Sequence, residues 1–454
     1  MLQCQSMNYT PFEPMPPRAP LYANAFVGVS THEFTGWRDE TLSWKKTCYL
    51  HAGLNPCDTI KLKGPDVMKF LSRTFVNNIE KFPVGSIKHG IMCDEQGRVI
   101  QDGVLIRAGE DEVETFWFVP KLPFALKSGK YGKFDVEMET LTGKVFLFQI
   151  AGPASIDTLE AASGQSLREL KFLRITDGVI AGKKVRICRV GMAGTLAYEV
   201  HGAFEDLEDV YDAILEAGED FGIRRLGSHC YPMNHAENGF PQFAVHFSHP
   251  KYEPDLQKFS EDNEGMEMWA YLQFEKRGSA ADDEALFTHN PFELGWGKMV
   301  NFNHDFVGKA ALEKIKAEDK RRMVTLEWNI EDVADVFTSQ FRDGEEAYKY
   351  IEQPAALSGW FCGYMEHDRV VNKDGKEIGV SFGRQNSAYF RRMISICCLD
   401  TEYTELGTEV MVVWGEPSTR QKKIRAKVAR FTYNNIMRNE ATDVATLPKA
   451  VPSN

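Results

Sequence analysis

The order of hydrophobic and polar positions predicts alternating helices and strands in the first 320 residues of the chain. Trp37 and Trp44 are seven residues apart, so they share one face of a predicted helix. Elsewhere apolar residues alternate with polar ones, as they do along β-strands. We therefore predict helices at 33–45, 66–75, 156–162 and 204–221, and strands at 58–63, 88–93, 98–107, 115–119, 144–150, 186–190 and 197–200.

The last third of the chain has a different pattern, with short alternating strands separated by glycine turns and few helices. An acidic, helical stretch at 331–351 interrupts this pattern. We predict a β-barrel or sandwich-like domain with strands at 322–328, 378–383, 392–398, 408–414 and 424–431.

Four other segments differ from their surroundings in composition. Residues 228–250 are rich in His, Pro, Asn and aromatic residues, which predicts an irregular functional loop. Residues 251–288 are acidic and predict a connector, and 291–315 predicts a strand, a turn and a helix. The first 20 residues contain five prolines, which predicts a loose arm.

Glu199 stands in the second of two predicted strands that a glycine-containing turn joins, at Gly191 and Gly194. A carboxylate in a half-buried strand is costly unless a partner pairs with it. One interpretation is an edge-strand side chain that points to water. The other is a carboxylate that binds a ligand rich in N–H donors, and the strand pattern alone favours the first.

Charge and cysteine content narrow the class of protein. The chain of 454 residues has a formal net charge of −12, which argues against nucleic acid or an anionic membrane as its main partner. It has no run of about 18 apolar residues, so no membrane span is expected. The nine cysteines are scattered and form no C-x-x-C pair, which favours reduced thiols and a cytoplasmic location.

Familiar catalytic motifs are missing. The chain has no G-x-G-x-x-G, P-loop, H-E-x-x-H or G-x-S-x-G sequence. One local group of metal-ligand residues matches no standard zinc spacing, so we predict no metal site there: His229, Cys230, His235, His246 and His249. Cys397 and Cys398 face opposite sides of a predicted strand, and we expect one core and one surface thiol.

Four segments taken together resemble the glycine-cleavage T-protein family, which binds tetrahydrofolate and transfers one-carbon units. The resemblance covers about 25–430 and is carried by EFTGWRDETLSW (33–44), DEQGRVIQDG (94–103), GMAGTLAYEVHG (191–202) and NPFELGWGKMVNFNHDFVGKAALEKI (290–315). It implies an α+β, three-domain cloverleaf with folate in the central opening and an all-β, barrel-like C-terminal domain. The implied domains are an arm (1–22), two interleaved folate-binding domains (23–318) and the barrel (319–450).

Within this family the chain is similar to the tetrahydrofolate-dependent aryl O-demethylases that act on vanillate or syringate. The catalytic acidic residue of the T-protein falls on Gln101, although Asp102 follows, and its Arg falls on Tyr231. Glycine-cleavage activity is therefore not expected. The similarity to the O-demethylases is carried by FQIAGP (148–153), GSHCYPMNHAENGF (227–240), TLEWN (325–329) and the 331–351 insertion.

The resemblance assigns roles to individual residues. Glu199 matches the carboxylate that binds the pterin ring, and a carboxylate can accept two parallel hydrogen bonds from N–H groups. Gln149 matches another folate-pocket residue. Phe240 and Trp296 fall where aromatic side chains pack near the cofactor, and ordinary core packing is an equal alternative for both. Tyr231 matches a tyrosine beside the methoxy group.

The predicted substrate pocket departs from the O-demethylase pattern. Two N-terminal tyrosines of those enzymes fall on Ala25 and Val27, and a histidine falls on Pro56. Their carboxylate-binding Arg falls on Lys121, which can pair with a carboxylate only as a point charge. Folate binding is therefore better supported than vanillate or syringate as the substrate.

The expected reaction moves a methyl group from a methoxyaromatic acid to N5 of tetrahydrofolate, without a metal. A positioned acid such as the Tyr231 hydroxyl, directly or through a water, would assist the phenolate leaving group by roughly 10²–10⁴-fold. The expected partners are folate and a small methyl donor. A methylated sulfonium or amine donor stays open, as does a non-catalytic folate-binding protein of the same fold, although the chain lacks the Lys-Gly-Cys motif of that branch.

Overall fold

The computed structural model describes residues 31–191, 194–263, 266, 274–352 and 363–450. In these ranges the helices are α1 (Trp37–Lys46), α2 (Val67–Thr74), α3 (Lys121–Lys127), α4 (Ser155–Ser163), α5 (Leu207–Glu219), α6 (Cys230–Asn238), α7 (Pro254–Asp262), α8 (Lys309–Glu318) and α9 (Ile330–Ser339). None of them is long and apolar enough to cross a bilayer.

The strands of the described ranges form three sheets. They are β1 (Tyr49–His51), β2 (Thr59–Lys63), β3 (Ile87–Cys93), β4 (Val99–Gly109), β5 (Glu112–Phe116), β6 (Glu137–Thr140), β7 (Val145–Ala151), β8 (Ile175–Ile180), β9 (Lys183–Cys188), β10 (Ala197–Ala203), β11 (Arg224–Arg225), β12 (Glu275–Arg277), β13 (Arg321–Trp328), β14 (Tyr364–Val371), β15 (Glu377–Ser387), β16 (Arg392–Asp400), β17 (Glu409–Trp414) and β18 (Lys422–Ala429).

The first sheet has six strands in the order β11-β1-β7-β10-β9-β8. Helices α4 and α5 cover one face of it. Leu207, Val210, Tyr211 and Ile214 of α5 recur at helical spacing and are buried in the same core as Phe148 of β7. Burial of this apolar stripe against the sheet explains why the segment is helical.

The second sheet has five strands in the order β3-β4-β5-β2-β6, and α2 and α3 pack on it. The hairpin predicted at 88–107 is confirmed as β3 and β4, with a turn at 94–97. Each strand of this sheet is antiparallel to its neighbours.

The third sheet closes on itself, in the order β14-β15-β16-β13-β18-β17 with β17 paired back to β14. This six-stranded barrel confirms the predicted all-β C-terminal domain. On β18, Ile424, Ala426 and Val428 are buried and alternate with exposed Lys and Arg residues, as a barrel wall requires. Strand β12 adds to the barrel beside β14.

Several sequence-based expectations are wrong. Residues 230–238 of the expected loop are a helix, α6, in which each residue is buried. Pro232 is tolerated because it lies in the first turn, where its missing N–H loses no intrahelical bond, and Gly239 ends the helix at φ 67. The strand expected at the start of 291–315 is instead a series of turns and a 3₁₀ turn at Gly297–Met299.

Cys397 and Cys398 do face opposite sides of β16, but both are buried. Cys397 lies in the barrel core and Cys398 in the core between the barrel and the preceding segments. The barrel wall is covered on both sides here, so neither cysteine is a surface thiol.

The division into 1–22, 23–318 and 319–450 stays a prediction. Two segments connect its parts: β12 pairs with β14, and the residues after β18 return to the first sheet. The backbone N–H of Leu196 donates to Met437, and Arg189 donates to Asn439.

Candidate active site

A cavity of about 560 Å³ opens where the first sheet, the second sheet and the segment after α6 meet. Its walls come from separate elements of the chain. Its polar and aromatic lining includes His51, Asp58, Lys88, His89, Gln101, Asp102, Glu199, Tyr231, Phe240, Phe243 and Lys298, and Pro56 lines it as well.

Glu199 is buried at the wall of this cavity, with a relative exposure of 1%. In the first sheet it stands opposite Gln149 of β7, and Gln149 stands opposite His51 of β1. The Gln149 Nε2 donates to Glu199 Oε1 at 3.2 Å. The three polar side chains therefore form a row across the sheet, and the solvated-edge interpretation of Glu199 is wrong.

His201 contacts the other oxygen of the same carboxylate. It is two residues further along β10, and its Nε2 lies 3.2 Å from Glu199 Oε2. Side chains at i and i+2 of a strand share a face, which places His201 beside Glu199. His201 is buried and lines a separate groove together with Glu114 and Arg186. It holds the carboxylate from the side opposite Gln149.

Tyr231 comes from α6 and faces the same row. Its hydroxyl is hydrogen-bonded to the Gln149 side chain, and burial raises the pKa of Tyr231 well above its usual value. Its ring stacks on His51, with centroids 4.5 Å apart and planes at 14°. Burial also lowers the pKa of His51 to about 4, so the imidazole is neutral near pH 7. The structure thus brings together Glu199, Gln149 and Tyr231, of which Glu199 and Tyr231 line the cavity and Gln149 connects them; their roles stay a prediction.

Phe240 and Trp296 form an aromatic wall. Their ring centroids are 5.7 Å apart, and His89 packs against both, at 5.1 Å from Phe240 and 4.8 Å from Trp296. Phe240 lines the cavity, whereas Trp296 is not among its lining residues and packs behind Phe240 and His89. The cofactor-facing interpretation therefore fits Phe240 better than Trp296.

Lys121 is not among the residues that line the cavity. It is buried at the start of α3, with its Nζ 3.0 Å from His249 Nδ1 and 4.6 Å from the Tyr252 ring centroid. His249 in turn stacks on Phe243, which does line the cavity. Burial lowers the pKa of Lys121 well below its usual value. This placement does not support Lys121 as a direct contact of a substrate carboxylate.

The two residues at the position of the T-protein acid have different partners. Gln101 is buried, lines the cavity and donates to the carbonyl of Trp117. Asp102 lines the cavity and its Oδ2 lies 2.9 Å from His89 Nε2. Pro56 lines the cavity as well, whereas Ala25 and Val27 lie outside the described residues.

Of the five residues considered as metal ligands, the four histidines have separate partners. His229 contacts Glu33, His235 contacts the carbonyl of Phe240, His246 contacts the N–H of Gln242, and His249 contacts Lys121. Within the described residues, the groups whose ligand atoms do converge are His32, Glu33 and His229, and His289, Glu293 and Cys398.

Sequence reasoning missed four polar residues of the site. His201 could have been found, since it has the strand spacing of two from Glu199. His51 and His89 could not, because sheet register and inter-sheet packing place them. Asp58, just before β2, lines the cavity, and burial raises its pKa to about 6.

Comparison with known proteins identifies relatives over nearly the whole chain. A family model described as GCVT N-terminal domain matches residues 22–251. Sesamin methylene transferase of Sinomonas sp. (strain No.22) is 40% identical over 433 residues, 94% of this chain and 95% of that protein. Syringate O-demethylase of Sphingobium sp. (strain NBRC 103272 / SYK-6) is 32% identical over 457 residues, 94% of each. Aminomethyltransferase of Clostridium botulinum (strain 657 / Type Ba4) is 24% identical, with 80% of each covered.

The fold agrees with these relatives. The glycine cleavage system aminomethyltransferase T from Bartonella henselae superimposes with a TM-score of 0.66 at 16% identity, over 93% of this chain and 96% of that one. The fold is therefore of the T-protein class, as the sequence resemblance implied. Because the family match and the relatives extend over most of the chain, this protein belongs to the GCVT family.

Proposed function

We propose that this protein is a tetrahydrofolate-dependent methyltransferase that removes a methyl group from a methoxyaromatic compound, of the vanillate or syringate type, and yields 5-methyltetrahydrofolate. The observation that carries the proposal is that Glu199 and Tyr231, which both line the cavity, are connected through the Gln149 side chain. It joins a buried carboxylate suited to a pterin to a phenol suited to a leaving oxygen.

The residues present fit a folate. A pterin offers a ring N–H and an amino group side by side, and Glu199 would accept a hydrogen bond from each. Gln149 and His201 keep its carboxylate in place, while each oxygen has a further lone pair for the ligand. Phe240 supplies a flat apolar surface on another wall of the cavity. When bound, tetrahydrofolate supplies the N5 nucleophile that accepts the methyl group.

The remaining roles belong to the protein. Tyr231 would donate a hydrogen bond to the ether oxygen, with its ring fixed by the stack on His51. The cavity walls would hold the methyl carbon and N5 in line and exclude water, which supplies much of the rate enhancement in such transfers. Trp296 would support Phe240 from behind.

A second candidate, transfer of a methylene group, has support from one relative. The 40% identical protein is named a methylene transferase and the 32% identical one an O-demethylase. Both names describe removal of a one-carbon group, so the product on folate separates the two candidates.

The test is incubation of the purified protein with tetrahydrofolate and a panel of donors. The panel contains methoxybenzoates, methoxyphenols, methylenedioxybenzenes, methylated sulfonium compounds and methylamines, and mass spectrometry detects 5-methyl- and methylenetetrahydrofolate. We expect 5-methyltetrahydrofolate with methoxyaromatic donors. If neither product forms with any donor, the proposal is rejected. If methylenetetrahydrofolate is the sole folate product, the second candidate is established.

We also propose a reducing, cytoplasmic location. The cysteines that the structure describes are free thiols. Such thiols are typical of proteins that stay in a reducing compartment.

A further inference from the structure

We propose that Asp58 is the general acid that protonates the departing aryl oxygen, an inference that rests on the proposed demethylation. Three carboxyl groups of the described residues line the cavity: Asp58, Asp102 and Glu199. Glu199 has both oxygens engaged, by Gln149 and His201. Asp102 is paired with His89 at 2.9 Å.

Asp58 is the one carboxyl of the three whose side chain has no hydrogen bond or ion pair to the described residues. Its backbone is nevertheless fixed, because its carbonyl accepts the N–H of Trp117 at 2.9 Å. The second sheet thus fixes the backbone of Asp58, while its carboxyl at the cavity wall has no described partner. Such a carboxyl can transfer a proton to a bound ligand.

The described groups around Asp58 do not stabilise its ionised form. Cys57 and Tyr252 are titratable neighbours of Asp58. Burial is the main cause that raises their pKa values, and the negative charge of an ionised Asp58 raises them further. Both are therefore neutral near pH 7 and do not stabilise a carboxylate. The cavity cations Lys88 and Lys298 form no ion pair with Asp58. Burial consequently raises the pKa of Asp58 to about 6, close to the working range of a general acid.

Tyr231 and Asp58 then have different roles. The pKa of Tyr231 is raised well above its usual value, so this phenol keeps its proton and offers a hydrogen bond only. The leaving phenolate still has to acquire a proton, and among the described residues Asp58 is the cavity carboxyl without a hydrogen bond or ion pair, which leaves it able to release one. Asp58 would thus be a catalytic residue and Tyr231 would stabilise the developing charge.

In the proposed step the bond between the methyl carbon and the aryl oxygen breaks, and the methyl carbon bonds to N5 of tetrahydrofolate. The carboxylic acid of Asp58 gives its proton to the aryl oxygen, which leaves as a phenol. The proton lost from N5 passes to solvent, and a solvent proton restores the acid form of Asp58.

The first experiment compares wild type, Asp58→Asn and Asp58→Glu in their dependence of kcat on pH, with the best methoxyaromatic donor of the panel. In the wild type, kcat should fall as pH rises through the pKa of Asp58, because the acid form is lost. Asp58→Asn should lower kcat by about 10²–10⁴-fold and abolish the decrease of kcat with rising pH. Asp58→Glu should restore part of kcat and part of this pH dependence.

A matched pair of donors isolates the leaving-group effect. 4-Nitroguaiacol and 5-nitroguaiacol give the same product, 4-nitrocatechol, but the nitro group is para to the methoxy oxygen only in 5-nitroguaiacol. A better leaving group needs less protonation, so Asp58→Asn should lose less activity with 5-nitroguaiacol than with 4-nitroguaiacol.

The second experiment needs neither folate nor turnover. The ionisation of bound 4-nitrocatechol is followed by its phenolate absorbance. The bound phenol should ionise at a higher pH in the wild type than in Asp58→Asn, because an ionised Asp58 opposes a second negative charge nearby. Equal tetrahydrofolate affinity and equal circular dichroism of the two proteins serve as the control for folding.

The outcomes separate the two proposals. No folate product from the wild type with all donors rejects the proposed function. Turnover by the wild type with an unchanged pH profile in Asp58→Asn, or equal ionisation of 4-nitrocatechol in both proteins, rejects Asp58 as the acid and leaves the proposed function standing.

Discussion

Glu199 shows what decides the behaviour of a single residue in this protein. Its local pattern is that of a strand residue facing water, yet the side chain is buried against Gln149 and His201. Burial of a carboxylate is tolerated here because each oxygen has a partner. The same two partners orient the carboxylate toward the cavity, where it is suited to bind N–H donors.

We expect Glu199→Gln to weaken tetrahydrofolate binding by about 1–3 kcal/mol, because an amide accepts only one of the two parallel hydrogen bonds and leaves a donor unpaired. Fluorescence titration with tetrahydrofolate measures the change. Glu114→Gln is the matched control, since Glu114 is paired with Arg186 outside the cavity. Equal affinities of Glu199→Gln and wild type would rule out the pterin assignment.

At the scale of elements, the hairpin of β3 and β4 depends on a glycine that the alternation pattern does not explain. A Cβ at Gly103 would lie 2.1 Å from the carbonyl oxygen of Phe116 on β5. That oxygen belongs to the backbone of a paired strand, so it cannot move away without breaking the pairing between β4 and β5. Gly103 therefore permits the close approach of two strands at the cavity wall.

We expect Gly103→Ala to lower the free energy of unfolding by about 1–3 kcal/mol or more, because overpacking against backbone is not relieved by rotamer changes. Gly109→Ala, on the same strand, is the control: its Cβ would be 3.3 Å from the Cβ of Glu112. Thermal and urea unfolding of both variants measure the difference. A loss for Gly103→Ala no larger than that of the control would contradict this account of the strand.

The elements themselves were largely predictable. The strands of the hairpin, of the barrel and around Glu199, and helices α1, α2, α4 and α5, follow from apolar periodicity, since each buries one face. Helix α6 could not be predicted in this way. It is buried on all sides, so its sequence has no alternation of polar and apolar faces with helical period. Its glycine stop and first-turn proline were the signals available.

At the scale of the whole molecule, the end of the chain supports the site. After the barrel, the chain returns to the first sheet, where Arg189 donates to the side chain and carbonyl of Asn439 at 3.1 and 2.9 Å and to the carbonyl of Leu170 at 3.1 Å. Asn439 donates to the carbonyl of Ala197, at the start of the strand that carries Glu199. The C-terminal residues thus complete the wall on which the carboxylate stands.

We expect Arg189→Met to destabilise the protein by about 2–4 kcal/mol, because several buried carbonyls lose their donors, and to expose the segment after 430 to trypsin. Unfolding and limited proteolysis measure the two effects. Arg322→Met is the control, since Arg322 is exposed and paired only at the surface with Asp319. If Arg189→Met resists trypsin as well as the wild type does, Arg189 does not hold the C-terminal segment in place.

The sequence by itself indicated the class of most segments, the family and the residues that we propose bind folate. Periodicity reports which face of an element is buried, and the types and order of the residues in four segments indicated the family. The tertiary structure alone decided which side chains meet. It set Glu199 between Gln149 and His201, placed Lys121 against His249 rather than at the cavity wall, and left the Asp58 side chain without a hydrogen bond or ion pair to the described residues. Contacts between sheets depend on register and packing that no local pattern contains.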